Sequence, residues 1–138
     1  MARTFFFDAC IGKPLVDNLR ARLVAQAGDD EDPIELRHLS EEFDLDVDDD
    51  VWVPEVAERG WVIISSDLGR RQPRLPAICS SYDVTHVLLS GGMHNLRSQD
   101  KEDRLFALWA SLQTVFDEPA GTRFQIDKSG DGARLKRK

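Results

Sequence analysis

Cysteine is scarce in this chain. Cys10 and Cys79 are the only two in 138 residues, so there is no disulfide framework and no thiolate set for zinc. The three histidines, His38, His86 and His94, are too scattered to supply one. Neither cysteine lies in a CxxC pair or beside an evident base, which argues against a thiol nucleophile. Two isolated thiols suit a reducing cytoplasm, the compartment expected here. Long apolar runs are missing too. No stretch approaches the roughly 20 residues of a membrane-spanning helix, so no membrane partner is expected. The run TFFF at residues 4–7 comes too early and is too short for a signal peptide. There is no internal repeat and no low-complexity linker, and GGMHN at 91–95 does not match a phosphate-binding glycine loop.

Basic charge is absent from one window in particular. Residues 29–50 hold twelve of the 25 acids against a single base, Arg37. Outside that window there are 17 basic residues and 13 acidic ones, so the net charge of −7 comes from one stretch. An acidic global charge therefore does not exclude a nucleic-acid partner, because the field that attracts one is local.

What is present reads as alternating strands and helices. TFFF is a short apolar strand. The segment IGKPLVDNLRARLVAQAG carries Leu15, Val16, Leu19, Leu23 and Val24 at helical spacing, with Pro14 in the first turn and Gly28 as a stop. IELRHL is a second strand. DDDVWVPEVAERG is a short helix, its aspartates at the positive end of the dipole, Pro54 in its first turn and Gly60 closing it. WVIISS is the strongest strand signal, LPAICSSYD a helix, THVLLS a fourth strand and GGMHN a turn. In KEDRLFALWASLQTVFDEP, residues Leu105, Phe106, Leu108, Trp109, Leu112, Val115 and Phe116 are read as sharing one face of a single amphipathic helix. TRFQID is a last strand. The expected arrangement is one α/β domain over residues 1–128, three layers with a central parallel sheet, followed by a basic, disordered tail over 129–138. Trp52, Trp61 and Trp109 are read as core, and His94 as an exposed turn residue rather than a general acid.

Two strands end on a carboxylate, Asp8 and Asp67. In an open parallel sheet that is the rim where ligands bind. The aspartates at 48–50 open a helix that faces the same rim. Converging carboxylates repel unless a cation sits among them, and a hard divalent ion with oxygen ligands, Mg2+ or Mn2+, fits. Beyond Asp67, Arg70, Arg71 and Arg74 stand where a phosphate backbone would pass, and Lys13 is a further candidate for that contact.

The opening FFFDACIGKPLVDNLR, the middle DDDVWVPEVAERGWVIISSD and the strand THVLLS resemble the PIN-like domain family, in particular the short VapC-type toxins and their relatives. The resemblance spans roughly residues 3–95. It implies a Mg2+- or Mn2+-dependent ribonuclease hydrolysing RNA, the toxin of a toxin–antitoxin pair. Its partners would be an RNA substrate, a cognate antitoxin protein and a second copy in a homodimer. It also implies that Asp8 and Asp67 are metal ligands, that Asp49 or Asp50 completes the cluster, and that Ser65 orients a ligand or bound water. Many relatives carry a further acid shortly after the position matching Asp67. Leu68 and Gly69 stand there instead, leaving Glu41, Glu42 and Asp83 as substitutes. That departure keeps a second reading open, a catalytically degenerate binding or regulatory protein.

Overall fold

The computed structural model describes residues 3–26, 34–44, 46–66 and 75–138. In chain order the strands are β1 (Arg3–Phe7), β2 (Ile34–His38), β3 (Val62–Ser66), β4 (His86–Leu89), β5 (Arg123–Ser129) and β6 (Gly132–Arg137). The helices are α1 (Lys13–Gln26), α2 (Leu39–Glu42), α3 (Asp49–Glu58), α4 (Leu75–Ser81), α5 (Gly91–His94), α6 (Ser98–Ala107) and α7 (Trp109–Leu112). A 3-10 turn, Gln113–Asp117, follows α7. The strands form one sheet in the order β2-β1-β3-β4-β5-β6, parallel from β2 to β5 with β6 antiparallel at the edge. The fold is the expected three-layer α/β/α arrangement.

The three phenylalanines of β1 serve both faces of the sheet, because side chains alternate along a strand. Phe5 and Phe7 join the apolar cluster under α1, α6 and α7, while Phe6 joins the one under α3 and α4. Phe6 lies 5.2 Å from the Trp52 ring and 5.9 Å from Trp61, and Phe5 lies 5.3 Å from Trp109. Trp52 and Trp109 are core as expected, and Trp61 is partly buried against the same cluster as Trp52. A strand buried on both faces has little freedom to slide, and the residue after it inherits that rigidity. The backbone N–H of Asp8 continues the ladder by donating to Ile64 O at 3.0 Å.

Helix α3 begins where the aspartates predict, with Asp48 as N-cap and Asp49 and Asp50 in the first turn. Pro54 lies inside the helix rather than in its first turn, and so removes one intrahelical hydrogen bond. Burial of Trp52, Val53 and Val56 holds the helix regardless. Gly60 closes it at φ +72°, and the next N–H, from Trp61, bonds back to Val56 O at 3.2 Å. A left-handed glycine after the last turn makes that bond reachable.

Three further expectations need correction. GGMHN is not a simple turn: Gly91–His94 forms the short helix α5, which buries Met93 completely. The long C-terminal helix is broken at Leu108 and ends as a tighter 3-10 turn. The break lets both Trp109 and Phe116 meet Phe5, the latter at 4.7 Å. Finally, residues 129–138 are not a disordered tail. Gly132–Arg137 is β6, joined to β5 by a two-residue turn, with Ser129 opposite Gly132 and Gly130 at φ +54°. A glycine with positive φ at the first central position suits a tight hairpin turn, and Ala133 and Leu135 pack on the core.

Candidate active site

The geometry is built around Asp8. It is the first residue beyond β1, at the carboxyl end of a central parallel strand, and is only 2% exposed. Its Oδ1 accepts from the Ala9 N–H at 2.6 Å, and its Oδ2 lies 3.5 Å from Cys10 Sγ. The thiol is therefore a donor to the carboxylate. Burial, and next the Asp8 charge, push Cys10 up to about 12, so it stays protonated near neutral pH. Sγ also accepts from the Ser66 N–H at 3.2 Å, which ties the loop after β1 to the end of β3. A further tie comes from His38, the buried N-cap of α2, whose Nε2 lies 2.7 Å from Ile11 O. A carbonyl only accepts, so Nε2 carries the proton and Nδ1 accepts from the Ser40 N–H at 3.1 Å.

Asp49 lies in the first turn of α3. It is half-buried, and the Trp52 indole N–H donates to its Oδ1 at 2.9 Å. Burial raises its carboxyl above the usual aspartate value, and the charge of Asp8 adds to the rise, as do Asp50 and Asp48; the Trp52 bond opposes it. Asp49 is thus the inward of the two, and Asp50 in the same first turn is exposed. Helical geometry explains the choice, since consecutive residues are about 100° apart and only one of them can look inward.

The two serines at the end of β3 point to opposite faces. Ser65 is fully buried and its Oγ lies 2.6 Å from His86 Nε2. Ser66 bonds instead to His94 Nδ1 on α5 at 2.7 Å. His94 is thus half-buried and held beside the Asp8–Cys10 loop, not a free turn residue. Strand alternation alone shows that Ser65 and Ser66 face opposite ways. Which of them meets the rim depends on which helix covers each face. Lys13 pairs with Asp17 at 2.9 Å on the solvent-facing side of α1. The substitutes for a fourth acid are engaged elsewhere: Glu41 with Arg20 and the His38 N–H, Glu42 with Arg59, while Asp83 holds a turn at φ 52°. Cys10 and Cys79 are both free thiols and pack on opposite faces of the sheet.

Asp67, Arg70, Arg71 and Arg74 lie outside the described residues. Among the described residues, no group of three or more His, Cys, Asp or Glu side chains is gathered to hold a metal ion. Two of the candidate carboxylates are coupled electrostatically, since the charge of Asp8 is one of the causes that raise Asp49. A sequence model of the PIN-like domain family matches residues 3–89, well over half of the chain, including β1 with Asp8 after it and α3 with Asp49. The chain belongs to the PIN-like domain family. No curated protein and no solved structure matches it. The PIN-like fold is of nuclease type, and the β1–Asp8 rim with α3 opposite lies wholly inside the matched region. No helix among the described residues is long and apolar enough to cross a membrane.

The donor chemistry can be tested against the ion such a nuclease would use. Asp8 and Asp49 offer hard carboxylate oxygens, and Mg2+ characteristically takes one or two carboxylates, several waters and substrate phosphate oxygens. A pair whose burial and mutual repulsion raise Asp49 is a pair that a cation would stabilise. The residues present fit such an ion in kind.

Proposed function

We propose that this PIN-like domain is a Mg2+- or Mn2+-dependent ribonuclease acting on RNA phosphodiester bonds, with Asp8, Asp49 and Asp67 as its carboxylates. The observation that carries the reading is the buried Asp8 carboxylate at the strand rim with Asp49 raised in part by its charge. Asp67 enters because it follows Ser66, whose N–H and carbonyl both lie against Cys10 Sγ in the Asp8 loop. A bound divalent ion would activate a water and offset charge growing on the phosphodiester. The chain's own residues supply position. The Ala9 N–H and the Cys10 thiol fix the Asp8 carboxylate, the Trp52 indole fixes Asp49, and Ser66 fixes His94 at the same rim. Rigid placement of this kind makes carboxylates effective ligands. The role of toxin, the cognate antitoxin, the homodimer and the cytoplasmic setting belong to the same proposal, supported by the likeness of the opening and middle motifs to short PIN-like toxins.

The test is cleavage of a mixed RNA pool by the purified chain in Mn2+, with an EDTA control and Asp8→Asn alongside. Asparagine keeps the shape and the Oδ1 acceptor while removing the charge. Cleavage abolished in both controls is the expected result. An Asp8→Asn chain as active as the original would end the proposal, and a chain inactive on RNA and unable to bind Mn2+ would leave the binding or regulatory reading.

A further inference from the structure

Among the described residues, the sheet face that carries the candidate carboxylates has no helix packed on it beyond β4. Alternation puts Phe6, Ile63, Ser65 and Leu88 on that face, the side on which α3 and α4 pack. The cover ends at β4. Leu88 is only half-buried and belongs to neither apolar cluster, whereas its neighbours Val87 and Leu89 are core on the other side. The helices that pack on β5 and β6 are α5 and α6, and they lie on that other side with Met93 and Leu105.

What the open face presents is basic. Arg123, Gln125 and Asp127 of β5 share it with Arg134, Lys136 and Lys138 opposite. Asp127 is held low by hydrogen bonds from Lys136, at 2.8 Å, and Gln125. Arg123 and Arg134 are exposed, and no carboxylate among the described residues pairs with either. The register ties this strip to the rim. Ser65 pairs with Leu88, Leu88 with Gln125, and Gln125 with Lys136. Asp8, one residue past the Phe7–Ile64 pair, stands at the head of that row. At about 4.8 Å per strand the row runs roughly 14 Å from β3 to β6. Arg123 lies two residues toward one end of β5, opposite His86, and Arg134 two residues toward the other, opposite Asp127.

We propose that this open face of β4, β5 and β6 is the track by which single-stranded RNA reaches the carboxylates. Arg123 and Arg134 hold its phosphates, Lys136 stands between them, and Leu88 offers an apolar step for a base. The inference rests on the ribonuclease reading and names how that site meets its substrate. Charge complementarity and continuity decide the occupant: a polyanion cut at Asp8 must leave over one side of the rim, and this side is cationic and, among the described residues, has no helix over β5 and β6. Arginine's planar fork suits phosphate oxygens.

Binding of a short, mixed-sequence, labelled single-stranded RNA to the full chain in EDTA tests this without cleavage, by anisotropy across a salt series. The R123A/R134A double variant is expected to bind on the order of tenfold more weakly, its salt slope shallower by about 0.7 for each charge removed. Arg137→Ala, on the opposite face and paired with Glu118, is expected to change neither, and unfolding curves confirm that the variants fold. An unchanged affinity and slope in the double variant overturns the track, whether or not the chain cleaves RNA. A lowered slope supports it even if Mn2+ yields no cleavage, an outcome that counts against the nuclease alone. Displacement of the RNA by polyglutamate at equal charge concentration would overturn RNA as the occupant in favour of an acidic protein segment.

Discussion

Trp52→Phe removes one donor, the indole N–H that reaches Asp49 Oδ1 at 2.9 Å, and keeps an aromatic ring against Phe6. Trp52 is fully buried, so the smaller ring leaves a void costing about 1–2 kcal/mol. A hydrogen bond to a charged acceptor contributes roughly 1.5–3 kcal/mol, but half-buried Asp49 can take up water in its place, which lowers the loss to about 1 kcal/mol. The expected total is about 2–3 kcal/mol by urea unfolding. A double-mutant cycle with Asp49→Ala separates the two parts and should return a coupling of about 1 kcal/mol. The Trp52 bond favours the ionised carboxylate, so in Trp52→Phe the Asp49 carboxyl should titrate higher still, followed by carboxyl-carbon NMR. The sign for stability follows. A raised carboxyl contributes most below its unfolded value of 3.8, and that contribution is lost as pH rises through the folded value. The variant should lose more across that window than the parent. A coupling within about 0.3–0.5 kcal/mol of zero, or an Asp49 carboxyl that does not move up, would refute the reasoning.

Two more outcomes follow from buried groups. His86 is 1% exposed and pushed down from 6.5 to about 4, mainly by burial and then by the Arg123 charge. Its contribution to stability is present above pH 6.5 and is lost as pH falls from there through 4, on the order of 3 kcal/mol in all. Acid unfolding of His86→Asn should lack that slope, and an identical pH profile would show that another group carries it. Cys10, pushed up from 9.0 to about 12, should alkylate with iodoacetamide at pH 8 at least about thirtyfold more slowly than a free thiol. A thousandfold smaller thiolate fraction is partly offset there by higher intrinsic nucleophilicity. Labelling of native Cys10 at the free-thiol rate would show that the thiol does not donate to Asp8.

Much of this molecule is legible in a single reading of the chain. The parallel sheet follows from apolar strands spaced by helices, and Asp8 at a strand end follows from TFFF running straight into a carboxylate. Local chemistry also fixes α3, whose aspartates, buried tryptophan and closing glycine each act within one helical turn. The β5–β6 hairpin was within reach as well, since S-G-D-G followed by alternating A-R-L-K-R carries a turn and a two-residue period; its basic charge masked the signal.

Other choices belong to the tertiary structure. Whether Asp49 or Asp50 looks inward depends on how α3 sits on Phe6 and Ile63, and whether Ser65 or Ser66 meets the rim depends on which helix covers each face. His94 becomes a partner of Ser66 only because α5 folds over the end of β3. The cationic face between β4 and β6 forms where, among the described residues, the cover of α3 and α4 gives out at Leu88. Sequence determines what each element is, through forces that act over a few neighbouring residues. Which side chains of different elements converge is decided by packing, since the apolar faces must be buried before the polar rim has a shape.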